Sequence, residues 1–193
     1  MPRDVGVVVV AAGQGTRAGG PVPKQYQAIA GVPMILLALR PFISHPDVAQ
    51  VVLVIPAPDL ASPPPFLLEI TGERLVLAAG GATRSESVCA GLRALGGACS
   101  VVLVHDGARP FVERTVIDAV IAHARRGEAA IAAVPLRDTV KEAVEHDPTR
   151  IARTVPRERL WRAQTPQGFP RAVLEQALAL AAHDGVTGTD DAE

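Results

Sequence analysis

The chain begins, from Val5 to Arg17, with VGVVVVAAGQGTR: a run of valines broken by one glycine, then two alanines and a loop that contains two more glycines. A continuous β-branched run predicts a strand that is buried on both faces, as in a parallel sheet. Glycines directly after such a strand allow a sharp turn and bring backbone N–H groups together. The segment therefore predicts a buried parallel strand that ends in a loop suited to an anion.

Apolar runs of the same kind recur along the chain, with helical patterns between them. The expected strands are Val5–Val10, Val51–Ile55, Leu75–Ala78, Val101–His105 and Ala130–Val134, and the expected helices are Pro33–Ile43, Thr83–Leu95, Thr115–Arg126 and about Arg171–Ala182. We expect Pro41 to kink or end the first helix and the Thr83-x-x-Glu86 capping box to start the second. This alternation predicts one α/β domain over residues 1–193 with a Rossmann-like, mostly parallel sheet.

Two segments break the alternation. The first, Ala57–Pro65, holds four prolines and predicts an exposed loop. The second, residues 136–155, has polar extended stretches at Arg137–Val144 and Arg150–Val155 around a turn at Glu145–Thr149, which predicts a hairpin arm that leaves the main body. Because a lone two-stranded hairpin is only marginally stable in water, we expect the arm to pack on something else, such as another subunit.

The composition excludes several classes of partner. The net charge is −1, so no global field attracts nucleic acid or an anionic membrane, and any anion site has to be built locally. No apolar run approaches the roughly 20 residues that a membrane span needs. The two cysteines, Cys89 and Cys99, form no CxxC pair, which predicts a reduced, cytoplasmic compartment.

The first candidate site is the loop after the first strand. Gly13 and Gly15 shape the backbone, while Arg17 and Lys24 add positive charge that can bind phosphate oxygens. No Asp or Glu occurs from Val5 to Pro46, and a ligand with several negative charges explains that bias. The alternative is a plain strand-to-loop turn with incidental surface cations.

Two well-known phosphate loops do not fit this segment. The GxxxxGK[ST] pattern of Walker-type loops is absent. Gly13-x-Gly15-x-x-Ala18 matches the dinucleotide fingerprint, but that fingerprint needs an acidic residue about 20 positions further on, which the acid-free stretch does not supply. Neither a Walker-type nor a dinucleotide site is therefore predicted.

The second candidate site is Asp106, at the end of the expected strand Val101–His105. Ligands of open α/β sheets bind at the carboxyl ends of strands, and a carboxylate there suits Mg²⁺ bound together with substrate phosphates. Arg109 lies three residues further on and can hold a phosphate, although both residues could instead form a structural ion pair. We expect His105 to be a hydrogen-bonding residue rather than a catalytic base.

The third candidate site is the segment Gly80–Val88, where glycines again come between a strand and a helix. The free N–H groups of a helix N-terminus suit a phosphate or a polar ring edge, and Ser87 could hydrogen-bond a nucleobase. Helix capping by Thr83 and Glu86 explains part of the same pattern.

Seven motifs occur in order along the chain: AAGxGxR, PKQ, GGxxRxxSV, VHDxARP, RDTxK, RTVPR and LWxAQTPQGF. Together they make the sequence resemble the 2-C-methyl-D-erythritol 4-phosphate cytidylyltransferase family over nearly its whole length. The resemblance implies a fold of the nucleotidyltransferase type and a reaction in which CTP and the sugar-alcohol phosphate give the CDP-alcohol and pyrophosphate. It also implies Mg²⁺ as the cofactor. Gly107 departs from the family, in which Ala is commoner.

The resemblance further implies a role for each group of motif residues. Contacts to the nucleotide are implied for Ala11, Ala12, Gly13, Gly15, Gly80, Gly81, Arg84 and Ser87; catalytic roles for Arg17, Lys24 and Arg157; metal binding for Asp106; and sugar-phosphate contacts for Arg109, Thr139 and Arg157. In the family the contacts matching Thr139 and Arg157 come from the partner's arm, which implies a homodimer. Family members continue past Asp191 into segments with a second metal carboxylate and a lysine, so we expect a C-terminal segment to be missing.

Two other functions stay open at this point. The same CTP motifs would serve a cytidylyltransferase for another sugar-alcohol phosphate, such as ribitol 5-phosphate. A nucleotide-binding protein without turnover would bind CTP but release no pyrophosphate.

Overall fold

The computed structural model describes residues 3–13, 23–185 and 191–192. Its centre is a six-stranded sheet formed by β1 (Val5–Val10), β4 (Val48–Ile55), β5 (Leu75–Ala79), β6 (Val101–Asp106), β7 (Ala130–Pro135) and β10 (Trp161–Pro170). The strand order is β5-β4-β1-β6-β10-β7. The pairs β1–β4, β1–β6 and β4–β5 are parallel, whereas β10 runs antiparallel to both β6 and β7. The mostly parallel α/β sheet is confirmed.

Strand β1 is buried on both faces, as its valines predict. Val7 and Val9 belong to one apolar core, which α1 (Met34–Ile43) and α5 (Arg114–Arg125) cover. Val8 belongs to the core on the other face, covered by α4 (Arg84–Ala94) and α6 (Arg171–Asp184). No helix in the described ranges is long and apolar enough to cross a membrane.

The helix boundaries follow local chemistry with two differences from expectation. Thr83 caps α4 through the predicted capping box with Glu86. Pro33 precedes α1 as its N-cap instead of starting it, and Pro41 lies inside the helix, which continues to Ile43. The helix therefore does not end at Pro41, because a proline removes only the one backbone bond that its missing N–H would have donated.

The expectation of a loop at Ala57–Pro65 is wrong. The segment forms α2 (Ala57–Ala61), and its last residue begins α3 (Pro65–Leu68). Each helix has a proline in its first turn, where the missing N–H would be unbonded in any case. Proline clusters therefore start two short helices here instead of preventing them.

The predicted hairpin is present as a separate two-stranded antiparallel sheet. It pairs β8 (Val140–Val144) with β9 (Asp147–Val155). The expected strand at Arg137–Val144 is shorter, and the turn is tighter than Glu145–Thr149, because β9 already begins at Asp147. Two short strands, β2 (Ala28–Ile29) and β3 (Val32–Pro33), form a further small hairpin before α1.

Candidate functional site

A cleft of about 820 Å³ lies at the carboxyl ends of β1 and β6, where the sequence placed its candidate residues. Its walls come from three loops: the one after β1, the one between β5 and α4, and the one after β6. The cleft is lined by Val10, Ala11, Ala12, Gly13, Lys24, Gln25, Gly81, Ala82, Thr83, Arg84, Ser87, Asp106, Ala108 and Arg109. Nine of the proposed site residues thus share one cavity, although they are spread over about a hundred positions of sequence.

The first wall combines the end of β1 with Lys24. The Ala11 amide donates to the Val54 carbonyl at 2.8 Å, which carries the strand pairing up to the edge of the cleft. Lys24 starts a single 3-10 turn, which Tyr26 anchors by donating its hydroxyl to Asp59 of α2 at 2.7 Å. Lys24 makes no ion pair with a described residue, so its charge is available to a ligand. The predicted residues Gly15 and Arg17 lie outside the described residues.

The second wall is the loop before α4. A Cβ on Gly80 would lie 2.2 Å from the Cβ of Ala12, so only glycine lets the two loops approach so closely. Gly80 itself does not line the cleft in the described part of the chain, and its role is this close approach. The Gly81 amide donates to Ser87 Oγ at 3.2 Å, and that hydroxyl donates to the Thr83 carbonyl at 2.9 Å. Ser87 therefore shapes the loop as well as facing the cleft.

The third wall centres on Asp106, whose two carboxylate oxygens each accept from a different arginine. Oδ1 accepts from Arg84 Nη1 at 2.6 Å, and Oδ2 accepts from Arg109 Nε at 2.7 Å. Burial acts to raise the pKa of Asp106, but the two arginines outweigh it and hold the pKa below its ordinary value of 3.8. Asp106 is therefore a carboxylate at neutral pH and carries its negative charge beside a cleft rich in cations.

Strand β10 supplies part of the site that the sequence patterns did not predict. Gln164 accepts a hydrogen bond from Arg109 Nη1, and the side chain of Gln167 accepts one from the Asp191 amide at 3.0 Å. The Asp191 carboxylate in turn accepts from Arg84 Nη2 at 2.6 Å. The signal was the LWxAQTPQGF motif, which carried the resemblance without predicting a strand.

His105 is fully buried, and both of its ring nitrogens are hydrogen-bonded, as expected for a residue that is not a catalytic base. Burial lowers the pKa of His105 to about 4, so the ring is neutral near pH 7. The Arg109 carbonyl, 3.0 Å from Nε2, can only accept, and the single ring proton is therefore on Nε2. Nδ1 is left to accept from the hydroxyl of Thr165 at 2.9 Å.

Two buried donors of the cleft have no hydrogen-bond partner among the described residues: Gln25 Nε2 and Arg84 Nε. Gln25 belongs to the PKQ motif but was not singled out from the sequence. Unpaired buried donors are costly in a folded protein and are common where a ligand completes the site. Together with Lys24, they make the cleft suited to a ligand that accepts hydrogen bonds and carries negative charge.

The described residues fit a divalent cation only in combination with a ligand. In residues 3–13, 23–185 and 191–192 no three acidic, histidine or cysteine side chains are grouped as a metal site. Mg²⁺ commonly takes one or two carboxylates and completes its coordination with substrate phosphates and water. The ionised Asp106 meets that requirement if one of its two arginines transfers its contact to a phosphate.

Thr139 and Arg157 are not brought to the cleft within one chain. Both side chains are exposed and flank the hairpin, and neither is among the cleft's described lining residues. Arg157 donates instead to the Arg137 carbonyl at the base of the hairpin. Thr139 and Arg157 therefore lie apart from the nine predicted residues that line the cleft.

Comparison with known proteins gives a consistent result. The family model for 2-C-methyl-D-erythritol 4-phosphate cytidylyltransferase matches residues 5–193. The enzyme of that name from Xylella fastidiosa is 43% identical over 196 residues, which cover 100% of this chain and 83% of the relative. A bifunctional IspD/IspF enzyme from Desulfotalea psychrophila is 42% identical over 172 residues, which cover 89% of this chain but only 44% of that longer protein.

Solved structures agree with the sequence comparisons. The crystal structure of 2-C-methyl-D-erythritol 4-phosphate cytidylyltransferase from Thermus thermophilus matches with a TM-score of 0.77 and 35% identity, over 98% of this chain and 81% of that one. The crystal structure of 4-diphosphocytidyl-2C-methyl-D-erythritol synthase from Anaerococcus prevotii matches with a TM-score of 0.83 at 26% identity, over 97% of this chain and 79% of that one. By family model, sequence and fold alike, this chain belongs to the 2-C-methyl-D-erythritol 4-phosphate cytidylyltransferase family.

Proposed function

We propose that the protein transfers a cytidylyl group from CTP to 2-C-methyl-D-erythritol 4-phosphate, giving the CDP-alcohol and pyrophosphate in non-mevalonate isoprenoid precursor synthesis. The observation that carries the proposal is the cleft at the carboxyl ends of β1 and β6. There Lys24, which has no ion pair with a described residue, shares the cavity with Asp106 and with Gln25 Nε2 and Arg84 Nε, two buried donors that have no partner among the described residues. A nucleoside triphosphate matches this set of groups.

The proposed reaction is an in-line displacement at phosphorus. A phosphate oxygen of the acceptor attacks the α-phosphorus of CTP, and the bond from that phosphorus to the oxygen bridging to the β-phosphate breaks, so that pyrophosphate leaves with the electron pair. The attacking phosphate is already anionic and needs no general base. Catalysis is then positioning together with stabilisation of the charge that develops on the triphosphate oxygens.

We assign a part of the substrates to each group of residues. Arg17, from its place in the AAGxGxR motif, and Lys24 are assigned to the triphosphate, and Gly81, Arg84 and Ser87 to the nucleoside. Arg109 is assigned to the acceptor phosphate. It follows Asp106 by three residues along the chain, and its side chain is 40% exposed. Asp106 would hold Mg²⁺, which when bound supplies positive charge to the triphosphate and to the leaving pyrophosphate.

We propose that Thr139 and Arg157 act on the acceptor in a partner's cleft, so that the working form is a homodimer. Exposed apolar surface supports this: Phe111, Ile151 and Trp161 are 75%, 63% and 62% exposed. An open groove of about 960 Å³ also lies between α5 and the β7 edge of the sheet.

A cytoplasmic location is proposed as well, supported by the two unpaired cysteines.

The test of the function is ³¹P nuclear magnetic resonance of the protein incubated with CTP, Mg²⁺ and one acceptor at a time. With 2-C-methyl-D-erythritol 4-phosphate we expect the paired signals of a new diphosphodiester together with pyrophosphate. The same products from ribitol 5-phosphate alone would move the assignment to another sugar-alcohol enzyme. Binding of CTP in calorimetry without product from either acceptor would indicate a non-catalytic protein.

A further inference from the structure

His105 is absent from the described lining residues of the cleft, yet its ring nitrogens bond to Thr165 and to the Arg109 carbonyl. Its ring is fully buried and packs against the ring of Phe42, with the centroids 4.8 Å apart. A buried imidazole with a fixed ring plane and both nitrogens bonded holds its neighbours in one geometry.

The Nδ1 side of the ring leads to Asp106. Thr165, in β10, donates its hydroxyl to Nδ1 at 2.9 Å, and the same oxygen accepts from the Asp106 amide at 3.1 Å. The ring therefore fixes the rotation of the Thr165 hydroxyl, and that hydroxyl fixes the backbone from which the Asp106 carboxylate projects.

The Nε2 side leads to Arg109. Nε2–H donates to the Arg109 carbonyl at 3.0 Å, while the Arg109 amide donates back to the Asp106 carbonyl at 3.0 Å. The turn from Asp106 to Arg109 is thus closed at one end by its own backbone and held at the other by the histidine. The Arg109 side chain leaves this held residue toward Asp106 and Gln164.

We propose that His105 is a positioning residue with two separate effects: through Nδ1 and Thr165 it sets the metal-binding carboxylate of Asp106, and through Nε2 it sets the acceptor-phosphate contact of Arg109. This inference rests on the proposed function of the same cleft. Outer partners that orient a metal ligand typically change metal affinity or activity by about 10- to 100-fold when removed.

Three substitutions separate the two effects. His105→Gln keeps an amide nitrogen about as far from Cα as Nε2, so it retains a donor for the Arg109 carbonyl and loses the acceptor for Thr165. His105→Asn keeps an amide oxygen near the position of Nδ1, so it retains an acceptor for Thr165 and loses the donor for the Arg109 carbonyl. Thr165→Val removes the same link as His105→Gln while preserving the shape of the side chain.

A second buried histidine provides the matched control. His45 is 1% exposed, contacts the Asp118 carboxylate through Nε2 at 2.9 Å and accepts from the Asp47 amide through Nδ1 at 3.2 Å. It precedes β4, at the opposite end of the strands from the cleft. His45→Gln should lower the melting temperature without changing either readout below.

The two readouts are the affinity for Mn²⁺ in the presence of CTP, followed by electron paramagnetic resonance, and the KM for the acceptor. His105→Gln and Thr165→Val should weaken Mn²⁺ binding by about 10- to 100-fold and leave the KM unchanged. His105→Asn should raise the KM by about tenfold or more and leave Mn²⁺ binding unchanged.

The inference is overturned if the His105 variants lower only the melting temperature, as His45→Gln does, or if Gln and Asn shift both readouts together. Thr165→Val keeps the test intact should a histidine variant fail to fold. If the wild-type protein transfers no cytidylyl group, the proposed function fails instead, and Mn²⁺ binding still tests the link from Thr165 to Asp106.

Discussion

At the scale of single residues, the site is a set of charges held ready for a ligand. Asp106 is ionised and pinned between Arg84 and Arg109, and Arg84 also contacts Asp191, whose side chain is 2% exposed. Each arginine is therefore held by a carboxylate before a nucleotide arrives, although one of them has to transfer its contact to a phosphate when Asp106 takes the metal. Charges fixed in advance need little rearrangement when the transition state forms, which is the main source of electrostatic catalysis.

Lys24 lines the cleft without an ion pair to any described residue, and it gives the first prediction. Lys24→Ala should lower kcat by roughly 10² to 10³ with little change in melting temperature, because the ammonium matters most as charge develops on the triphosphate. Steady-state kinetics and thermal melting check both parts.

Arg93→Ala is the matched control for Lys24, since it removes one positive charge from an exposed position near the far end of α4. Its kcat should equal that of the wild type. A Lys24→Ala protein with near-normal kcat and normal melting would remove Lys24 from the mechanism.

Several residues that line the cleft could be predicted from the sequence, but their hydrogen-bond partners could not. Lys24, Arg84 and Asp106 stand beside strand ends that can be recognised from apolar runs. The pairing of Arg84 with Asp106 depends on the order β5-β4-β1-β6, because Arg84 follows the edge strand and reaches across two others. Sequence spacing carries no information about that order.

At the scale of elements, the sheet is specified by its valines and by close packing of helices on both faces. Strand β10 escaped prediction because WRAQTPQGFP lacks a continuous apolar run and contains Pro166. Its pairing with β7 is irregular between Ala163 and Gln167, so it tolerates the proline. The polar residues that make β10 unlike an apolar strand in the sequence are the ones that contact Arg109, His105 and Asp191.

Close packing of α4 gives the second prediction. A Cβ on Gly91 would lie 2.4 Å from Val8 Cγ1 and 3.1 Å from Val54 Cγ2, both on the sheet beneath the helix. Gly91→Ala should therefore lower the free energy of unfolding by about 1–3 kcal/mol, because β-branched side chains cannot turn away. Chemical denaturation measures this change.

Gly97→Ala is the control for Gly91, because a Cβ there meets no described atom within 4 Å. Its stability should match or slightly exceed that of the wild type. Equal stability of the two alanine variants would mean that α4 is free to move away from the sheet.

The amino ends of the strands give a prediction about pH. Arg125 of α5 bonds to Asp4, before β1, and to Asp47, before β4. Burial acts to raise the pKa of Asp4, but Arg125 outweighs it and holds the pKa below 3.8. A depressed pKa in the folded state stabilises the protein above the unfolded pKa, and this contribution is lost as the pH falls through the folded value.

Asp4→Asn should therefore melt at a lower temperature than the wild type near pH 6, and the difference should shrink as the pH falls below about 4. Melting curves over this pH range test it, with Glu73→Gln, an exposed position, as the control. A difference that stays constant down to the lowest pH would show that the Asp4 charge contributes nothing to stability.

At the scale of the whole molecule, two features of the fold bear on the proposed homodimer. The hairpin of β8 and β9 forms its own sheet, and the exposed Thr139 and Arg157 flank it without lining the chain's own cleft as described. The sequence predicted the hairpin from its polar pattern, but no pattern could predict what it packs against. A site completed by the arm of a partner accounts for both features.

The measurement that tests this account most directly is activity after mixing Arg157→Ala with Asp106→Ala protein. Each variant should be nearly inactive alone while melting normally. After subunits exchange, one site of each heterodimer carries both changes and the other carries neither, so CTP- and acceptor-dependent pyrophosphate release should return to about half of the wild-type rate per heterodimer. A mixture that stays inactive although mass spectrometry shows heterodimers would contradict the account and place Arg157 in the site of its own chain.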